Sequence, residues 1–99
     1  MTINKKQEDK RLNLALVGRL DTTTSPQFQH ILIPSFDEAE EVTLDFKELS
    51  YISSAGLRVL LMGEKTARAK NVAMSLSNVS EEIMEVLDMT GFSDILTIL

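Results

Sequence analysis

The sequence predicts an α/β fold: a mixed β-sheet of about five strands covered by helices, in the order β-β-α-β-α-β-α-β. Three observations lead there. Leu12-Leu14-Leu16, Val42-Leu44-Phe46 and Val72-Met74-Leu76 each alternate with smaller or polar residues, the period-two signature of a strand with one face toward a core. Between and after these runs lie stretches with helical spacing and helix-start residues. Ninety-nine residues make one domain with a single modest core, so the expected organisation is one domain over residues 1–99.

The elements follow in order. Thr2 to Lys6 is a short lysine-bearing strand suited to a sheet edge, with "EDKR" as the turn into Leu12–Val17. "GRLDTTTSP" closes that strand, with Gly18 free to take unusual backbone angles. Ser25 as N-cap and Pro26 at the first helical position begin a helix carrying Phe28, Ile31 and Leu32. Pro34 should kink or end it, unless it opens a second short turn toward Phe36. After the strand at Val42–Phe46, "KELSY" reads as a loop, and Gly56 to Lys70 as a helix with Leu57, Leu60 and Leu61 on one face. Asn71 can take the left-handed conformation that stops a helix. After the third alternating run, Ser80 caps "EEIMEVLDM", whose first-turn glutamates favour the positive end of the helix dipole. Gly91 ends that helix, and Ile95 to Leu99 forms the last strand. Met84, Met89 and Phe92 are assigned to core packing, since methionine fills irregular gaps.

Composition narrows the function classes. A formal net charge of −5 argues against nucleic acid or an anionic membrane as main partner. With no cysteine and one histidine there is no disulfide framework, no thiol chemistry and no Cys/His zinc site. No metal and no cofactor is expected. The first residues lack the apolar core of a signal peptide, and no run is long enough to span a membrane, so no membrane insertion and a cytoplasmic location are expected.

In such folds function gathers where strand ends meet helix starts. Two segments lie there: "LDTTTSP" and "SYISSAGLRV" at positions 50–59. The hydroxyls of Ser53 and Ser54 admit several readings. A hydrolase elbow requires Gly-x-Ser-x-Gly, and Ile52 stands where the first glycine belongs. A full P-loop is absent, for no Gly-Lys-Ser/Thr occurs. Asp21 and Asp45 are not brought together by the sequence and read as a loop cap and a strand end, while His30 reads as a surface or half-buried side chain. An enzyme is therefore not expected. Simple helix caps remain open, as does phosphate acceptance: a phosphoserine at a helix start adds about −1.5 to −2 charge, which the dipole and free amides tolerate.

A resemblance selects among these. "VTLDFKELSYISSAGLRVLL", followed by "VAMSLSNVSEEIMEVLDMTGFSDIL" and preceded by "GRLD", resembles the STAS domain family, and within it the bacterial anti-sigma factor antagonists. It covers nearly the whole chain. Its specific parts are the Ile-Ser-Ser-Ala-Gly-Leu segment at 52–57 and the Leu-Asp-Met-Thr-Gly segment at 87–91. It implies a protein that binds an anti-sigma factor with serine kinase activity, thereby releases a sigma factor, is inactivated by phosphorylation, and is restored by a phosphatase. By position the acceptor falls on Ser54 and the turn aspartate on Asp21. Ser53 stands where the family has an acid and Ala55 where it has a hydroxyl. The implied partner surface comprises Asp21, Ser53, Ser54, Gly56, Leu57 and Arg58. The alternative is a constitutive STAS scaffold subunit of a transport or stress-signalling complex, with Ser54 as a mere cap.

Overall fold

A computed structural model describes all of Met1–Leu99. It contains strands β1 (Thr2–Glu8), β2 (Arg11–Leu20), β3 (Glu41–Ile52), β4 (Ala73–Ser77) and β5 (Thr97–Ile98). Its helices are α1 (Ser25–Ser35), α2 (Ser54–Ala69) and α3 (Glu81–Thr90), with a 3-10 turn at Phe92–Asp94. The strands lie in one sheet in sequence order, β1 antiparallel to β2 and the other neighbours parallel. The expected class, strand number and element order are all present.

The sheet buries one face. Leu12, Leu14 and Leu16 of β2, Val42, Leu44 and Phe46 of β3, and Met74 and Leu76 of β4 join one core with Phe28 and Leu32 of α1, Leu57 and Leu60 of α2, and Ile83 and Leu87 of α3. Side chains of the intervening residues, Asn13, Thr43, Asp45, Ser75 and Ser77, lie on the other, half-exposed face.

Several boundaries differ from the sequence reading, each for a local reason. "KELSY" is not a loop. β3 continues through it to Ile52, but with two bulges against β2. Ala15 pairs with Asp45 and Val17 with Glu48, then Gly18 with Leu49 and Arg19 with Tyr51, so β3 carries one extra residue at each step. The buried series therefore runs Val42, Leu44, Phe46, Leu49, Ile52, and its spacing changes from two to three. Asp45 holds the first bulge, accepting hydrogen bonds at Oδ1 from Lys47 N (3.0 Å) and Asn78 Nδ2 (2.9 Å). At the second, the Ser50 hydroxyl donates to Gly18 O at 3.0 Å, where Gly18 takes φ +109°.

At the start of α1, Thr24 rather than Ser25 is the N-cap, and Ser25 is the buried first helical residue. Pro34 lies inside α1, which ends at Ser35. The proline removes only a last-turn hydrogen bond, and Phe36 N and Asp37 N close the end on Ile33 O and Pro34 O. The β1–β2 turn is shorter than "EDKR": Glu8 pairs with Arg11, leaving Asp9, at φ +58°, and Lys10. α2 begins at Ser54, two residues before Gly56. The last strand shrinks to Thr97–Ile98, because a 3-10 turn at Phe92–Asp94 takes the amides of Ile95 and Leu96 back to Phe92 O (3.0 and 2.9 Å). Met84 and Phe92 pack against the core, but Met89 is 85% exposed and does not. Asn71 and Gly91 do take positive φ, +57° and +80°, and Ser80 Oγ accepts from Ile83 N at 3.2 Å.

Candidate functional site

The parallel strands β2 and β3 end side by side at Leu20 and Ile52. Their carboxyl ends feed the starts of α1 and α2, which brings the Asp21 turn and the Ser53–Ser54 junction together. The link is direct: Ser53 N donates to Leu20 O at 2.9 Å.

The Asp21 turn is closed by its own side chains. Asp21 Oδ1 accepts from Thr23 N (3.0 Å) and Thr24 N (3.1 Å), and Asp21 O accepts from Ser25 N (2.9 Å). Thr24 Oγ1 accepts from Asp21 N at 2.9 Å and donates to Arg19 O at 2.7 Å. The N-cap position that the sequence assigns to Ser25 falls instead on Thr24, in a turn closed by the Asp21 carboxylate, which is short enough to fold back on its own turn. The Thr24 amide, with the Thr24 hydroxyl, the Thr23 amide and the Arg19 guanidinium, holds the Asp21 carboxyl below its ordinary value.

At the start of α2 the two serines differ. Ser53 is the N-cap, with extended φ −103° and ψ 176°, and its carbonyl accepts from Leu57 N at 3.0 Å. Its side chain caps nothing: Ser53 Oγ is buried and has no hydrogen-bond partner. Ser54, the first helical residue, is exposed. The N–H groups of the first turn therefore have no side-chain acceptor.

The other residues of the expected surface divide by burial. Arg58 is exposed one turn beyond Ser54. Gly56 and Leu57 face inward; Leu57 is 7% exposed. A Cβ on Gly56 would lie 2.7 Å from Leu20 Cγ and 3.0 Å from Ile52 Cγ1. Only glycine lets the first turn of α2 sit this close to the strand ends, so Gly56 sets the position of Ser54 rather than offering a contact.

Two neighbours escaped the sequence reading. The Arg19 guanidinium lies 4.2 Å from the centroid of the Tyr51 ring, and Arg19 Nε is 3.7 Å from Asp21 Oδ2. Arg19 and Tyr51 face each other only because the second bulge shifts the register by one residue. The signal for that pairing, a buried spacing of three, is visible only once β3 is known to continue. Beside the site, α1 and α2 leave a shallow cleft of about 220 Å³ lined by Thr22, Ser25, Pro26, Gln29, Ala55, Arg58, Val59 and Met62. His30 is exposed further along α1, away from Ser54. No helix is long and apolar enough to cross a membrane.

Known proteins share the fold. An anti-sigma-B factor antagonist of Bacillus subtilis is 26% identical over 98 residues, spanning 99% of this chain and 90% of the relative. The anti-sigma factor antagonist SpoIIAA in its unphosphorylated form superposes with a TM-score of 0.79 at 17% identity, over 99% of this chain and 87% of that one. The phosphorylated form of SpoIIAA, a Bacillus cell fate determinant, gives 0.78 at 17% identity, over 99% and 91%. At that identity the two structures establish a shared fold. The STAS domain profile itself matches residues 2–99, from the first residue of β1 to the last of the chain, and so the protein belongs to the STAS domain family.

Proposed function

We propose that the protein is an anti-sigma factor antagonist of the cytoplasm, a binding module without turnover, that engages an anti-sigma factor with serine kinase activity and is switched off by phosphorylation of Ser54. The observation that carries this reading is the disposition of Ser54: an exposed hydroxyl, at the first position of a sixteen-residue helix, beside the Asp21 turn and engaged in no cap. The family and its curated relatives, named anti-sigma-B factor antagonists, supply the partner class.

The physical sequence is short. The partner meets the Asp21 turn, the Ser54 junction and Arg58, while the buried Gly56 and Leu57 hold the helix start in place and the extended Ser53 backbone leads into it. The kinase then transfers a phosphoryl group to Ser54 Oγ. About −1.5 to −2 charge now stands in the interface. The dipole of α2 and its uncapped amides stabilise that charge, so the domain stays folded while the surface repels its former partner. A phosphatase removes the group and restores binding.

The test is to incubate the protein with its cognate kinase and ATP, map phosphate by mass spectrometry, and measure partner binding by calorimetry. Phosphate on Ser54 and loss of binding in Ser54→Asp are expected. No phosphate there, together with intact binding of Ser54→Asp, would replace the switch by a constitutive scaffold.

A further inference from the structure

Resting on that reading, we infer that Arg58 is the internal receptor of the phosphate on Ser54: once residue 54 is phosphorylated, the Arg58 guanidinium folds back onto it and leaves the partner surface.

The charged and titratable groups around this site come from three elements. The end of β2 supplies Arg19 and Asp21, β3 supplies Glu48 and Tyr51, and α2 supplies Arg58, with Lys65 beside it. Arg19 is already committed, stacked on Tyr51 and close to the Asp21 carboxylate. Asp21 is an anion whose Oδ1 is occupied by two backbone amides. Arg58 differs from both. It is exposed and belongs to none of the ion pairs of the molecule.

Its spacing from Ser54 is four residues on a continuous helix, which places the two side chains on one face about 5–6 Å apart at Cβ. The order also suits the helix, with the anion N-terminal to the cation. A guanidinium presents a planar fork of donors that matches two phosphate oxygens, and such charge-assisted hydrogen bonds are short and strong. Because the Ser53 hydroxyl is turned inward, the first turn keeps its N–H donors for the same phosphate.

Phosphorylation then acts twice: it adds negative charge at residue 54, and it removes a cation from the surface that Asp21, Ser54 and Arg58 share. Nothing in the backbone has to move for either effect.

The experiment installs phosphoserine at position 54 during translation, so that no kinase is needed. The phosphate is titrated by phosphorus NMR in the otherwise unchanged chain, in Arg58→Gln and in Arg58→Lys. The second ionisation should rise by about 0.3 unit in Arg58→Gln, by the size of a helical i,i+4 ion pair, with Arg58→Lys in between. In the unsubstituted chain the Arg58 Nε–H resonance should shift and exchange more slowly with solvent once residue 54 is phosphorylated. Equal titrations in the three chains, or an unchanged Arg58 Nε–H, overturn the inference. Either result leaves the Ser54 switch standing, and a kinase that never modifies Ser54 sinks the switch while this titration still decides the clamp.

Discussion

Ser53 and Ser54 are chemically identical neighbours with opposite fates, set by one change of backbone conformation between them. Ser53, extended, turns its hydroxyl inward, where it finds no partner; Ser54, helical, is exposed. Asp21 offers the clearest prediction at this scale. Its folded carboxyl titrates below the usual 3.8 because the Thr24 amide, Thr24 hydroxyl, Thr23 amide and Arg19 favour the charged form. A depressed value means that its stabilisation is fully present above about pH 3.8 and is lost as pH falls through the lower folded value. A carbon-13 titration of the Asp21 carboxyl should show the lowered midpoint. Asp21→Asn should flatten that part of the acid-unfolding profile, and a midpoint at or above 3.8 would contradict the account.

At the scale of the element, β3 and α2 show how far local pattern can be followed. The alternation Val42-Leu44-Phe46 reveals a strand, and its apparent end at Lys47 follows from a rule that tolerates no bulge. The bulges belong to the pairing of β2 with β3, which joins residues some thirty positions apart in the chain. α2 is legible as an amphipathic helix, but its hydrophobic stripe includes an acid. Glu64 has a side chain only 8% exposed, while Arg68, one turn on, is 67% exposed. Arg68 Nε donates to Glu64 Oε2 at 2.8 Å, and another guanidinium nitrogen donates to Ile95 O at 3.0 Å, tying α2 to the segment before β5. Glu64 Oε1 is buried without a partner. Arg68→Ala should therefore destabilise by about 1–3 kcal/mol, mainly by stranding the carboxylate. Adding Glu64→Met should recover most of that loss, because no buried charge is then left unpaired. Urea midpoints of the single and double variants measure this, and an unrescued double variant would place the loss in the Ile95 tie instead.

At the scale of the molecule, all three helices contribute to one core on one sheet face, and Phe46 sits within it, fully buried. Phe46→Ala should cost about 3–5 kcal/mol, a large part of the roughly 5–15 kcal/mol that holds a domain of this kind together. Denaturant unfolding should show a lower midpoint with an unchanged slope, and a loss below about 1 kcal/mol would mean that the core closes around the gap. With the core on one side, the strand ends and helix starts are left at the rim, so a charge added at Ser54 changes a surface without entering the interior.

The sequence by itself determined the fold class, the order of elements and the segment that carries the candidate site. These follow from periodicity, helix-boundary residues and motif, all of which act over a few residues. The family could be identified for the same reason, since its specific segments are continuous. Only the tertiary structure decided that Thr24 rather than Ser25 is the first N-cap, that Gly56 is wedged against Leu20, and that Arg19 stacks on Tyr51 beside the serines. The Gly56 and Arg19 contacts depend on the register between β2 and β3, which two bulges shift by one residue each. A displacement of that size is invisible in local pattern, yet it decides which side chains share a face.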